Sequence, residues 1–233
     1  MDIKAIIFDV GNTLISYDAP LNWQALYSPA LTQTMAACNL AYTEEADAHA
    51  QTILTKYNTR VNPREYEVSS DTIFSEILTC WNVDIKNLTA AKQAFYGYFR
   101  RSSKCYDDTE AMLQSLKNRD IKIGALTDIA YGMDNEYALD DLAVIEKYID
   151  ICLTSNDVGY RKPNIKGFLM LQQSFDVPSS QIAVVGDEKK DIIGAKNSGM
   201  ISVLINRGDC IKDFSQDYTI SSLAQILDLI FIL

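Results

Sequence analysis

The chain has 233 residues, 48% of them hydrophobic, which is enough to bury a sizeable core in one large domain or one domain carrying an insertion. Its formal net charge of −10 repels phosphate backbones and anionic lipid, so nucleic acid and membrane surfaces are excluded as partners, and an anionic substrate requires a locally assembled positive site. The five cysteines are scattered, odd in number and without a Cys-x-x-Cys pair, which points to a reducing compartment where they serve as small core residues. The amino terminus lacks a leader's basic-then-apolar pattern, and the apolar tail 226–233 is short and interrupted by Asp228. A soluble cytoplasmic protein is expected.

The first element is a strand over 5–8, an apolar run of the kind buried on both faces of a parallel sheet. It stops at Asp9, because Gly11-Asn12 is turn chemistry. Asp9 therefore sits at the carboxyl end of a strand, where open α/β sheets bind ligands. There it can cap a turn, ligate a metal or act as a nucleophile.

Residues 22–101 carry helical patterning without strand alternation. Trp23 to Leu26 and Leu31-Met35-Cys38 mark one apolar helical face, and further helices are predicted near 43–57, 70–81 and 89–100. Thr43, Ser70 and Thr89 read as helix starts, while Pro63 and Asn82-Val83-Asp84 read as breaks. Strand-helix alternation resumes after Asp107: helix 109–118, strand 121–126, a helix within 134–147, strand 148–153, helix 164–175, strand 182–186, helix 189–198, strand 201–205 and a closing helix from 221. Such alternation builds a mostly parallel sheet between two helical layers, with right-handed crossovers.

The remaining polar residues of interest lie at or after strand ends: Thr127 and Asp128, Lys162, Asp187 and Asp191. One site at the carboxyl edge of the sheet would collect Asp9, Thr127, Lys162, Asp187 and Asp191. Converging carboxylates repel unless cations intervene, and oxygen donors without histidine or cysteine favour a hard cation, Mg²⁺ above all. A phosphate could bridge that metal, Lys162, the Thr127 hydroxyl and the amides of the Val10-Gly11-Asn12 turn. The lone histidine, His49, falls in a polar helix, so no histidine-based triad is available. Glu188, Lys189 and Lys190 read as a solvated helix start.

Asp9-Val10-Gly11-Asn12-Thr13-Leu14, Thr127, Lys162-Pro163 and Gly186-Asp187-x-x-x-Asp191 resemble, in order, the four motifs of the haloacid dehalogenase superfamily. The resemblance spans the chain and implies a Rossmann-like three-layer α/β core, residues 1–16 and 102–233, with an inserted α-helical cap, residues 17–101. It implies a first strand flanked by the second and fourth, and hinges near 15–18 and 102–106. It also implies Asp9 as nucleophile, Thr127 and Lys162 as further catalytic residues, and substrate contacts from Asn12, Thr127 and Lys162. The implied cofactor is Mg²⁺, held by Asp9, the Gly11 backbone carbonyl and Asp187, with Asp191 as a weaker ligand or a partner that orients water.

One position departs from the pattern. Phosphatases of this family usually carry a second Asp two residues after the nucleophile as general acid and base, and here that residue is Gly11. Tyr17 or Asp18 could supply the proton instead. The expected activity is Mg²⁺-dependent hydrolysis of a small phosphorylated metabolite through an aspartyl-phosphate on Asp9. Two alternatives stay open: metal-free dehalogenation of a 2-haloacid through an ester on Asp9, and a weakened member that binds or regulates. Tyr17, Tyr66, Tyr96 and Tyr131 are candidates to line a substrate cavity.

Overall fold

A computed structural model describes residues 2–17, 23–99, 103–208, 210 and 212–232. In chain order the strands are β1 (Ala5–Phe8), β2 (Ile15–Tyr17), β3 (Ser103–Cys105), β4 (Lys122–Thr127), β5 (Ile151–Thr154), β6 (Ile182–Gly186), β7 (Ile201–Ile205) and β8 (Tyr218–Ile220). The helices are α1 (Tyr27–Ala37), α2 (Glu44–Tyr57), α3 (Ser70–Cys80), α4 (Leu88–Phe99), α5 (Thr109–Lys117), α6 (Asn135–Ala138), α7 (Ser155–Val158), α8 (Lys166–Phe175), α9 (Lys189–Asn197) and α10 (Gln225–Ile232).

Six parallel strands form one sheet in the order β5-β4-β1-β6-β7-β8. β1 lies between β4 and β6, with Phe8 in register with Ala125 on one side and Val185 on the other. Side chains along β1 alternate between two cores. Ile6 and Phe8 join Leu113, Leu116, Ile123, Val203 and Leu223, whereas Ala5 and Ile7 join Phe168, Leu171, Val184 and Ala195. The period-2 alternation with both faces covered explains why β1 and β6 read as unbroken apolar runs. The result is the expected three-layer α/β fold.

The segment between β2 and β3 is helical and has its own apolar cluster. Tyr27, Leu31 and Met35 of α1 meet Ile53 and Leu54 of α2, Phe74 and Ile77 of α3, and Phe95 and Phe99 of α4. Thr43 caps α2, its side chain accepting from the Ala46 N–H at 3.1 Å. The cap of α3 is Ser69, accepting from Thr72 N, one residue before the expected Ser70. Ser70 instead donates to Asp134 at 2.6 Å.

The structure adds two features to the sequence reading. β2 and β3 pair antiparallel, Ile15 opposite Cys105, so the two connections to the helical segment form a ribbon; Asp18 and Ser102 of the expected hinges lie outside the described residues. β8 extends the sheet, after a stretch too short to alternate visibly. The predicted helix within 134–147 is broken into the single turn α6 and two 3-10 turns, Asp140–Leu142 and Glu146–Tyr148, which occupy the start of the predicted strand 148–153. Of the cysteines only Cys38 is fully buried; Cys80 and Cys210 are exposed, and all five are free thiols.

The helical segment is also strapped to the sheet side. Tyr66 and Tyr160 form an isolated antiparallel bridge, Glu67 N–H donates to the Gly159 carbonyl at 3.0 Å, and Arg161 N–H donates to the Glu65 carbonyl at 2.7 Å. Beneath it the nearly buried Glu67 carboxylate pairs with Arg161 and Arg64 and accepts from the Ser155 hydroxyl at 2.5 Å. Arg161 also donates to the Ile129 carbonyl at 2.7 Å. Charges this deeply buried persist only when paired and hydrogen-bonded, and this network meets that condition. Among the described residues no helix is long and apolar enough to cross a membrane.

Candidate active site

The carboxyl ends of β1, β4 and β6 lie side by side. Asp9 follows β1, and its N–H donates to the Val185 carbonyl of β6 at 2.8 Å. Thr127 ends β4, half-buried and one strand away. Asp187 follows β6. Lys162 arrives from the loop between α7 and α8, and Asp191 from the first turn of α9.

Lys162 stands at the centre. Its Nζ donates to Asp9 Oδ1 at 2.5 Å and to the Leu126 carbonyl at 2.8 Å, and lies 2.8 Å from Asp191 Oδ1. Burial opposes a charge on this lysine, but Asp191, Asp9 and Asp128 together outweigh it and hold its pKa well above the ordinary value. The Thr13 hydroxyl donates to Asp9 Oδ2 at 3.4 Å.

Asp191 is 1% exposed and has two tasks. One carboxylate oxygen pairs with Lys162, while the other accepts the Glu188 N–H at 3.0 Å and closes a capping box on α9. Gly186 makes room for it: a Cβ there would stand 2.4 Å from Asp191 Cγ. A glycine is required by close approach rather than by backbone conformation.

One carboxylate oxygen from each of Asp9, Asp187 and Asp191 lies within 4.8 Å of the others. Burial first, then the charges of Asp9 and Asp191, push the Asp187 pKa up to about 7. Asp191 is likewise raised by burial, against the pull of Lys162. Three neighbouring carboxylates, two of them sharing one buried ammonium, leave negative charge uncompensated, and an all-oxygen donor set of this kind fits a hard divalent cation such as Mg²⁺.

Gly11 lies in the turn beyond Asp9, bridged to Ile15, and Asn12 is exposed with a positive φ of 58°. A Cβ built on Gly11 would meet only Tyr17, its ring edge at 3.8 Å and its hydroxyl at 3.9 Å. Tyr17 thus stands beside the vacant side-chain position, while Asp18 lies outside the described residues. The other three tyrosines are placed elsewhere. Tyr96 and Tyr131 are buried in the helical cluster, and Tyr66 is exposed on the strap. His49 is exposed on α2.

The walls of the site hold residues whose part the sequence does not reveal. Asp128 is buried, accepts the Lys162 N–H at 3.0 Å and pairs with Lys190 Nζ at 3.1 Å, so it positions the lysine backbone. Glu188 and Lys190 are not the solvated helix start expected: Glu188 sits between Lys190, at 2.9 Å, and Arg60 of the helical segment, at 2.6 Å. Burial disfavours charge on Glu188, but Lys190 and Arg60 hold its pKa at about 2. An adjacent Glu-Lys-Lys run carries no periodic signal, and the contact with Arg60 spans 128 residues.

The family of haloacid dehalogenase-like hydrolases matches residues 3–199, and the chain belongs to it. It is 26% identical over 213 residues to the glyceraldehyde 3-phosphate phosphatase of Methanopyrus kandleri, aligning 88% of this chain and 85% of that protein. Its fold superposes on the 2-haloacid dehalogenase of Pseudomonas syringae pv. Tomato DC3000 with a TM-score of 0.71, at 19% identity over 99% of both chains. A HAD phosphatase from Thermococcus onnurineus superposes with a TM-score of 0.65, at 22% identity over 97% of both chains.

Proposed function

We propose that this hydrolase is a Mg²⁺-dependent phosphatase of a small phosphorylated metabolite, working through an aspartyl-phosphate on Asp9. The observation that carries the reading is the convergence of Asp9, Asp187 and Asp191 on one another, with Lys162 paired to Asp9 and Asp191. Resemblance to a phosphatase over most of the chain supports it.

An Asp9 oxygen attacks phosphorus in line, the P–O bond to the leaving group breaks, and that oxygen takes up a proton. Water then attacks the same phosphorus, breaking the P–O bond to Asp9 and releasing inorganic phosphate. Lys162 fixes Asp9 and offsets phosphoryl charge, Thr127 and the amides around Asn12 bind the phosphoryl oxygens, and Asp128 holds Lys162 in place. Asp9, the Gly11 carbonyl and Asp187 would hold Mg²⁺, with Asp191 aiding. The ion would supply charge neutralisation at the transferring phosphoryl group. Residues 17–101 form the cap over a core of residues 1–16 and 102–233, a division supported by apolar clusters that are distinct although Tyr131 of the core joins the helical one.

Phosphate release from para-nitrophenyl phosphate, acetyl phosphate and a sugar phosphate, with and without Mg²⁺, tests this reading. Metal-dependent turnover is expected. Chloride release from a 2-haloacid without metal would replace it with the dehalogenase alternative, which Gly11 favours because a departing halide needs no proton. Silence on every substrate would favour the binding role.

A second expectation concerns pH. The folded, metal-free protein keeps a proton on Asp187 up to about pH 7, whereas the unfolded chain releases it near the ordinary value of 3.8. This group therefore lowers stability as pH rises between those values, and a bound cation displaces the proton and reverses the effect. Apparent Mg²⁺ affinity should weaken about tenfold per pH unit below 7 for one displaced proton. The Mg²⁺-induced rise in Tm should be larger at pH 7.5 than at pH 5.5, and Asp187→Asn should shrink the difference. An equal rise at both pH values would show that Asp187 does not carry the cation.

A further inference from the structure

Arg60 belongs to the loop between α2 and α3, far in sequence from every strand-end residue of the site. Its loop is held at both ends. Arg60 N–H donates to Asn58 Oδ1 at 2.9 Å, and five residues later the strap at Glu65 and Glu67 fastens the chain to residues 159–161, next to Lys162. The loop thus runs from the lysine side of the site to the Glu188 turn on the other side.

There Arg60 Nη2 donates to Glu188 Oε1 at 2.6 Å, beside Asp187. The side chain is 78% exposed, so the rest of its guanidinium fork is open to solvent beside the residue that follows Asp187. Its charge is also felt by Asp187 and Asp128.

The cations nearest Asp9 and Glu188 are committed, and Lys212 donates to the Asp187 backbone carbonyl at 3.1 Å. Lys162 is held by Asp9 and Asp191, and Lys190 by Asp128 and Glu188. Glu188 has two cationic partners, one for each oxygen, Arg60 on Oε1 and Lys190 on Oε2. Arg60 can therefore exchange Glu188 for a ligand anion without stranding a carboxylate, because Lys190 remains. A guanidinium already holding a carboxylate has the geometry to hold another, and its fork can do so bidentately.

We propose that Arg60 selects phosphomonoesters bearing a carboxylate at the end of the molecule away from the ester phosphorus. This rests on the phosphatase reading and adds to it a substrate class. The phosphoryl group goes to the Asp9 end of the cleft. The carboxylate takes the place of Glu188 on Arg60, the cation of the site whose side chain is mostly exposed and whose carboxylate partner has a second cation.

The matched pair 3-phosphoglycerate and glycerol 3-phosphate differs by a carboxylate in place of a hydroxymethyl group. Calorimetric titration of both ligands in the presence of Mg²⁺, on the full chain carrying Asp9→Asn so that neither is consumed, reads the preference directly. With Arg60 present, 3-phosphoglycerate should bind about tenfold more tightly, the scale of a charge-assisted bidentate contact. Adding Arg60→Gln should bring the ratio of affinities to within about twofold. A ratio unchanged by Arg60→Gln, or already near one with Arg60 in place, overturns the proposal. Because binding is read without turnover, that failure is distinct from failure of the phosphatase reading, which para-nitrophenyl phosphate hydrolysis by the unaltered chain decides. Arg60 is largely exposed, so its replacement leaves the buried packing intact.

Discussion

Asp9→Asn should reduce phosphate-ester turnover by at least about 10³-fold, the scale on which removing a nucleophile acts. The substitution keeps the size of the side chain and an oxygen to accept from Lys162. Lys162 also retains Asp191 at 2.8 Å and the Leu126 carbonyl at 2.8 Å. The strand beneath is packed on both faces by apolar residues that the change does not touch. The variant should therefore fold and melt cooperatively while losing activity. Residual turnover within tenfold of the unaltered chain would exclude Asp9 as the attacking group and return it to the role of a turn cap and ion-pair partner.

Gly11→Asp should act in the opposite direction. The backbone at Gly11 is not left-handed, and a Cβ would meet only Tyr17, at 3.8 Å from its ring edge and 3.9 Å from its hydroxyl, so a side chain can start there without a clash at Cβ. A carboxyl at this position would provide a general acid two residues after Asp9. General acid–base catalysis contributes about 10²–10⁴-fold, most where the leaving group is a poor one. The expected result is a gain of about 10²-fold on glycerol 3-phosphate and little change on para-nitrophenyl phosphate, whose leaving group departs as an anion. An equal gain on both, or none on either, would show that leaving-group protonation is not what limits the site. A native chain fast on alkyl phosphates would assign the proton to another group, with Tyr17 the neighbour placed to give it.

The fold was legible because β1 and β6 are buried on both faces and announce it as unbroken apolar runs. Their order in the sheet followed from the resemblance and is the order observed. β2, β3 and β8 were not legible, since three-residue strands have no room for a period. The predicted helix within 134–147 fails for a related reason: its side chains are fixed by tertiary contacts such as Asn135 with Thr154 and Asp157, not by a helical stripe.

The structure brings Asp9, Lys162 and Asp191 into direct contact and Asp187 beside them, because strand-end carboxylates are a positional signal in an α/β sheet. In the sequence Asp128 is a strand-end residue with no role assigned, Glu188 and Lys190 read as part of a solvated helix start, and Arg60 carries no signal. What each does depends on partners dozens of positions away, and no local pattern encodes such a partner.

The β2–β3 ribbon has one more consequence. The chain enters the ribbon at Ile15 and leaves it at Cys105, paired across the same ladder, so the ends of the intervening 89 residues are already joined. Closing a longer or shorter excursion between them costs little, since loop entropy grows only logarithmically with length. The neck therefore works as a socket. The strand ends around Asp9 can keep their geometry while the helical segment outside its strap at Glu65 and Glu67 is lengthened or shortened, and residues such as Arg60 can change without disturbing Asp9.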